Sequence, residues 1–112
     1  MTKCKITVLK RMLNPELAEA YSGVEVTKCP YFEEDQVFIG SLFEKPQNFC
    51  DWAWDDIYKV VSALNLGGNY TTGVFDKWMK EDNVMIVCCT DGMRPVSFKV
   101  ERIEEMTGEG NL

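Results

Sequence analysis

Apolar and polar residues alternate in two parts of the chain, and each part is predicted as a half-buried strand. Near the N-terminus, Cys4, Ile6 and Val8 alternate with lysines and a threonine. A period of two places the apolar side chains on one face of a strand. Near the C-terminus, residues 96–100 repeat the same pattern.

Two further strands are predicted from short apolar runs. Residues 36–39 are mostly apolar and are followed by Gly40. Residues 84–90 form a continuous apolar run, which is typical of a central strand covered on both faces. Turn-forming residues at positions 90–95 separate this run from the next strand and predict an antiparallel hairpin with a long loop.

Two helices are predicted between these strands. Asn14 is expected to cap a short first helix, with Pro15 in its first turn and Gly23 at its end. Asn48 is expected to cap a longer second helix, which Gly67 ends. One face of this helix is apolar at spacings of three and four residues. The residues on that face are Cys50, Trp54, Ile57, Val61 and Leu64.

The order of the elements defines the predicted fold class. Strand, helix, strand, helix, strand and strand, with the last two strands antiparallel, predict an α+β domain. We expect a small, mostly antiparallel sheet of about four strands, with the long helix on one face. A length of 112 residues is typical of one domain. That domain is predicted to span residues 1–103, with a frayed C-terminal tail at residues 104–112.

Charge and composition exclude several classes of partner. The formal net charge is -6 and the basic residues are scattered, which disfavours nucleic-acid binding. No apolar run approaches the roughly 18 residues that span a bilayer, so no membrane partner is expected. The N-terminus has no apolar signal segment, and the five cysteines are an odd number. These features predict a cytoplasmic protein with reduced thiols.

The cysteines are the sharpest chemical feature of a chain that contains no histidine. Cys29 precedes a proline in a loop, and Cys50 falls in the first turn of the long helix. Helix N-termini favour the thiolate, which is both the nucleophile and the metal ligand. Cys88 and Cys89 end a strand, and adjacent strand residues point to opposite faces. Only one of these two is therefore expected to join Cys29 and Cys50.

Three convergent thiols are predicted to form one of two kinds of site. One is a soft-metal site, with zinc or an iron–sulfur cluster as the candidate cofactor, and the other is a group of redox thiols. The alternative is simple burial, because cysteine packs as a small hydrophobe and the chain has no Cys-x-x-Cys motif. Burial predicts thiols that react only after unfolding.

The turn between the last two strands carries a second candidate for binding. Asp91 and Arg94 would lie near the thiols, where the guanidinium could clamp an anionic ligand in a bidentate way. We therefore predict that both residues bind a cofactor or ligand. The alternative is that Asp91-Gly92 is an ordinary hairpin turn and Arg94 a surface side chain.

Trp52 lies about 200° around the long helix from Trp54, so the two cannot share one buried face. Trp52 needs a cover, which is a second layer of the fold such as a loop that also holds Trp78, a partner chain or a ligand. A partner chain defines the alternative function: a non-catalytic binding or oligomerisation module. In that case the protein is a homo-oligomer and its cysteines are structural.

A set of motifs spread over residues 3–103 carries a family resemblance. The motifs are Cys29-Pro30-Tyr31-Phe32, Gln36-Val37-Phe38-Ile39, Phe49-Cys50-Asp51-Trp52-Ala53-Trp54, Gly67-Gly68, Trp78 and Cys88-Cys89-Thr90-Asp91-Gly92-Met93-Arg94-Pro95-Val96. Together they resemble a family of short, uncharacterised proteins found mostly in anaerobic bacteria and archaea.

The resemblance implies three cysteine positions and leaves the chemistry open. They lie before a proline in the first loop, at the start of the long helix and at the end of the strand before the last turn. They correspond to Cys29, Cys50 and Cys89, so the resemblance selects Cys89 over Cys88. Some members of the family carry a Gly-His pair after the first cysteine, whereas this chain has Phe32-Glu33 in that region. A metal role for that histidine is therefore not expected here.

Overall fold

The computed structural model describes residues 1–104 of the chain. The strands are β1 (Thr2–Arg11), β2 (Val37–Gly40), β3 (Val84–Cys88) and β4 (Val96–Glu104). The helices are α1 (Pro15–Tyr21) and α2 (Asp51–Asn65), and a 3₁₀ turn spans Gly73–Phe75. Of the tail predicted at residues 104–112, Glu104 ends β4, and residues 105–112 lie outside the described residues.

The four strands form one sheet in the order β2-β1-β4-β3, and every neighbouring pair is antiparallel. α2 packs against this sheet, which confirms the predicted α+β class. β1 and β4 are the central pair, with Ile6 opposite Val100 and Val8 opposite Phe98. All four of these side chains are fully buried, so both alternating segments are half-buried strands as predicted.

β3 lies at an edge of the sheet, so the prediction of a central, fully covered strand is wrong. Within residues 1–104 it pairs only with β4, because β1 occupies the other side of β4. Met85 and Val87 pack against the core, whereas Ile86 is 41% exposed. An apolar run shows that a strand is hydrophobic, but it does not show where the strand lies in the sheet. The place of β3 depends on the pairing of β4 with β1, which is distant in the sequence.

The core lies between α2 and the inward face of the sheet. The buried residues of α2 are Ala53, Ile57, Val60, Val61 and Leu64. The predicted stripe is thus confirmed at its C-terminal three members, while Cys50 and Trp54 lie at its half-buried margin. α2 has 15 residues, and no helix in the described part of the chain is long and apolar enough to cross a membrane.

The two predicted asparagine caps are not formed. Asn14 occupies the N-cap position of α1, but its side-chain Nδ2 donates a hydrogen bond to the Gly92 carbonyl oxygen instead, at 2.6 Å. α2 begins at Asp51, so its N-cap position belongs to Cys50, and Asn48 lies outside the helix with a positive φ of 61°. Asparagine tolerates this left-handed conformation, which suits a tight turn as well as a cap.

Cys4 belongs to the core and is chemically separate from the other cysteines. Its side chain is fully buried, and its thiol donates a hydrogen bond to the Val61 carbonyl oxygen at 3.6 Å. Burial raises the pKa of this thiol from 9.0 to about 11, and the positive charge of Arg102 opposes the rise. The folded state therefore holds the Cys4 proton more tightly than the unfolded state does.

This difference predicts a loss of stability at alkaline pH. The contribution of Cys4 is complete below pH 9 and is lost as the pH rises towards 11, because the unfolded thiol ionises first. Between these limits the free energy of unfolding of the native protein should fall by about 2 kcal/mol more than that of Cys4→Ala. Urea titrations of both proteins at the two pH values measure the difference. Equal losses would show that the Cys4 thiol is not protected by the fold.

Candidate functional site

A cavity of about 180 Å³ lies where the N-terminus of α2 meets the loop after α1 and the β3–β4 turn. Buried Phe32, Ala53 and Val96 form its apolar floor. Tyr31 and Trp52 line its exposed side. The remaining lining residues are half-buried and polar or thiol-bearing. They are Cys29, Cys50, Cys89, Asp91 and Arg94.

The five residues in that last group are those that the sequence pattern selected as site residues. The structure brings them to one cavity from three separate segments of the chain. All of the cysteines are free, and the other two lie elsewhere: Cys4 in the core and Cys88 exposed at the end of β3. The shared location is a property of the fold, whereas the metal and ligand roles of these residues stay predictions.

A cluster of phenylalanine rings positions two of the three thiols. Phe32 contacts both Phe49 and Phe98, with ring centroids 5.2 Å apart in each case. Phe49 and Phe98 are 5.6 Å apart, so the three rings contact one another. Phe32 lies three residues after Cys29, and Phe49 directly precedes Cys50. Packing of these rings against β4 therefore places both cysteines beside the same part of the sheet.

Arg11 holds the segment that carries Cys29. Its Nη1 donates a hydrogen bond to the Cys29 carbonyl oxygen at 3.0 Å, and its Nε pairs with Glu34 Oε1 at 3.1 Å. The backbone N–H of Arg11 also donates to Glu34 Oε2 at 3.2 Å. These hydrogen bonds, led by that of the backbone N–H, lower the pKa of the Glu34 carboxyl. One arginine thus ties β1 to both ends of residues 29–34.

Cys50 lies at the positive end of the α2 dipole. It occupies the N-cap position, and its carbonyl oxygen accepts the first helical hydrogen bond, from Trp54 N at 2.9 Å. Lys45 reaches the same end of the helix and forms an ion pair with Asp51. The hydrogen bond to Asp51 raises the pKa of the Lys45 ammonium, and nearby Tyr31 and Cys50 add to the rise.

Cys89 is held by the start of β4. Its backbone N–H donates to the Val96 carbonyl oxygen at 3.0 Å, and the Val96 N–H donates in return to Cys89 Sγ at 3.3 Å. The sulfur therefore has a defined position with an amide donor on it. Cys88, one residue earlier, is exposed and does not line the cavity. Adjacent strand residues face opposite sides of a sheet, which agrees with this arrangement.

A hydrogen-bond network that the sequence pattern did not reveal holds the Trp52 side chain at the cavity. Its Nε1 donates to Thr90 Oγ1 at 2.8 Å. Asp56 accepts hydrogen bonds from the backbone N–H and the hydroxyl of Thr90, at 2.7 and 2.9 Å. Trp78 lines a separate depression beside β3, so it does not share a cover with Trp52. The helical spacing of Asp56 and Trp52, four residues apart, was the available signal.

The cavity thiols do not form a ready coordination shell. Within residues 1–104, no group of three or more Cys, Asp or Glu side chains is arranged to hold a metal ion. Structural zinc and iron–sulfur sites need a complete set of close thiolate or imidazole ligands, and this chain has no histidine to add. The donor set therefore does not fit zinc or an iron–sulfur cluster as it stands, and metal binding stays a prediction.

Comparisons with known proteins give the chain no relative. No protein family model, no curated protein and no solved structure matches it. The function of the chain is therefore inferred from the geometry of the cavity and from the chemistry of the residues that line it.

We predict that Glu34→Gln makes Cys29 more reactive. Loss of the carboxylate removes the ion pair that orients Arg11, so residues 29–34 should open more often. The rate of Cys29 alkylation at neutral pH should rise roughly twofold to fivefold, in keeping with an exposed ion pair. Peptide mass spectrometry after timed quenching measures the rate. Glu33→Gln is the matched control, because the Glu33 side chain has no such partner in the described structure, and it should leave the rate unchanged.

Proposed function

We propose that this protein carries a thiol-based redox site formed by Cys29, Cys50 and Cys89. The proposal rests on one observation: a single small cavity is lined by three free, half-buried thiols from three segments. A cysteine that serves only as core filler lies inside the packed core, as Cys4 does. Half-buried thiols around a cavity are instead accessible to a small molecule.

The surroundings of the three thiols suggest different roles. Cys50 occupies the N-cap position of α2 and lines the cavity, so it is the residue we assign to attack on the substrate. Cys29 and Cys89 line the same cavity and are the candidates for the second, resolving thiol. Reactive cysteines occupy partly exposed positions such as helix N-termini, and the half-buried N-cap position of Cys50 matches this description.

The exchange reaction balances with a small disulfide as the oxidant. The Cys50 thiolate attacks one sulfur, forms a mixed disulfide and releases the other half of the reagent as a thiolate. Cys29 or Cys89, also as a thiolate, then attacks the Cys50 sulfur and forms an intramolecular disulfide, releasing the second half. The reagent gains two electrons and the two protein thiols lose them. Their two protons pass to the released thiolates or to solvent.

The proposed setting is a reducing compartment. Protein thiols stay reduced in the cytoplasm, and exchange-active cysteines there are transient or regulatory. We infer a cytoplasmic location on this chemical ground, with no nucleic-acid partner because the chain has an excess of acidic residues. We also propose that the chain belongs to the family of short proteins of anaerobic bacteria and archaea that its motifs resemble.

The proposal predicts one disulfide that contains Cys50. Treatment of the folded protein with bis(2-hydroxyethyl) disulfide should join Cys50 to Cys29 or Cys89, and peptide mapping by mass spectrometry should identify the pair. Cys50→Ser should abolish that disulfide. Cys88→Ser is the matched control and should leave it intact, because Cys88 does not line the cavity. Thiols that react only after unfolding would refute the proposal.

Metal binding is tested on the native protein and the Cys50→Ser variant before any treatment with the disulfide. Elemental analysis of protein purified without oxygen should find less than stoichiometric zinc, iron and copper if the site is a redox site. About one metal ion per chain, lost in Cys50→Ser, would replace the redox proposal with a soft-metal site.

A homo-oligomer is the second candidate, and the edge strand β3, with the apolar side chains beside it, favours this candidate. β3 pairs on one side only within residues 1–104, and Trp78 and Ile86 line a depression beside it. Trp78 is 63% exposed. Unpaired edge strands are templates for pairing with another chain. Trp52, by contrast, is engaged by Thr90 at the cavity.

We predict that any homo-oligomer of this chain uses the β3 edge. Ile86→Lys would place a charge in that contact and should convert the oligomer to a monomer, as measured by light scattering after size exclusion. Trp52→Ala should leave the assembly state unchanged. Dispersal by Trp52→Ala alone would place the interface at the cavity instead, and a native protein that is monomeric at all concentrations would remove this candidate.

A further inference from the structure

Arg94 is the cation that lines the thiol cavity, and Asp91 determines which part of its guanidinium is occupied. Asp91 Oδ1 accepts hydrogen bonds from the backbone N–H groups of Met93 and Arg94, at 3.0 and 3.3 Å. Asp91 Oδ2 accepts from Arg94 Nε at 3.4 Å. Both oxygens of this carboxylate are thus used within the turn. Asp91 is a positioning residue that orients Arg94.

The outer edge of the Arg94 guanidinium has no partner among residues 1–104. The contact to Asp91 uses Nε, and neither Nη atom makes a hydrogen bond or ion pair with a described residue. The two Nη groups form a planar fork that matches the two oxygens of a carboxylate. The side chain is 40% exposed, so an anion can reach it from solvent through the cavity.

The size and surface of the cavity limit what that anion can be. A cavity of about 180 Å³ is slightly larger than the dry cavity of about 150 Å³ that holds benzene, so it takes about six to eight non-hydrogen atoms. Its floor is Phe32, Ala53 and Val96, which suits an apolar body. A doubly charged phosphate would need a second cation, and Arg94 is the one Lys or Arg among residues 1–104 that lines the cavity.

We propose that the thiol cavity selects small carboxylates, with Arg94 binding the carboxylate and the cavity thiols contacting the other end of the ligand. This inference rests on the proposed thiol site and adds the class of molecule that the site accepts. Arg94 is the residue that determines specificity. Trp52 and Tyr31 flank the entrance and exclude molecules much larger than the cavity.

Two alkylating reagents of nearly equal size test the proposal. Iodoacetate carries a carboxylate, and iodoacetamide replaces it with a neutral amide. In both reactions a thiolate sulfur forms a bond to the methylene carbon, and iodide leaves with the electron pair of the carbon–iodine bond. The measured quantity is the ratio of the two alkylation rates at Cys50 and Cys89, taken from peptide mass spectrometry in a Cys88→Ser background.

We expect Arg94→Gln to lower the iodoacetate-to-iodoacetamide ratio by about tenfold, as the loss of a hydrogen bond to a charged group predicts. Arg94→Lys keeps the charge without the fork and should give an intermediate ratio. Lys10→Gln removes the same charge from an exposed position outside the cavity lining and should leave the ratio unchanged. Circular dichroism of each variant confirms that it is folded.

The outcomes separate the two proposals. If iodoacetamide modifies the cavity thiols of the folded protein but Arg94→Gln does not change the ratio, carboxylate selection is wrong and the thiol site stands. If neither reagent modifies Cys50 or Cys89 before unfolding, the thiol site itself is wrong, and the inference is overturned with it. A ratio that falls equally in Lys10→Gln would show a general charge effect and would also overturn the role of Arg94.

Discussion

The contact among the Phe32, Phe49 and Phe98 rings is the interaction on which the candidate site depends. Each ring comes from a different part of the chain: the loop after α1, the entrance to α2 and the central strand β4. Aromatic rings bury large areas and prefer defined edge and tilted arrangements, so the cluster fixes relative positions as well as stabilising the fold. Cys29 and Cys50 lie close in sequence to Phe32 and Phe49, and the same packing that completes the core therefore sets the spacing of two thiols.

The remaining side of the cavity is fixed by backbone hydrogen bonds. Residues 12–14 run beside the β3–β4 turn, where Met12 N donates to the Pro95 carbonyl oxygen and Asn14 N to that of Met93, both at 2.8 Å. At the other end of α2, Arg102 donates hydrogen bonds to the carbonyl oxygens of Leu64 and Gly68, each at 2.7 Å, which satisfies groups that a helix C-terminus leaves unpaired. α2 is thus held at its C-terminal end. The β3–β4 turn that carries Arg94 is held by the segment that leads into α1.

Local patterns predicted more of this molecule than long-range ones did. The alternation in β1 and β4 is a direct consequence of one buried face, so those strands and the α+β class followed from the sequence. The edge position of β3 did not, because it depends on β4 pairing with β1 across most of the chain. Asn14 and Asn48 have cap-forming side chains, but neither side chain caps a helix. Asn14 donates a hydrogen bond to Gly92 in the β3–β4 turn, and Asn48 has a left-handed backbone conformation. The arrival of three cysteine-bearing segments at one cavity was predictable, whereas the Thr90 and Asp56 network required the fold.

The proposed site requires that the cavity thiols lie close enough to act together, and a trivalent arsenical measures this directly. Phenylarsine oxide forms two arsenic–sulfur bonds and binds tightly only where two thiols approach each other, and its phenyl ring is of the size that the cavity accepts. The experiment is a titration of the folded Cys88→Ser variant, followed by mass spectrometry of the intact protein. We expect one arsenic bound per chain, with Cys50 as one of its two ligands. No binding to the folded protein, or binding that survives the replacement of Cys29, Cys50 and Cys89 together by serine, would contradict this.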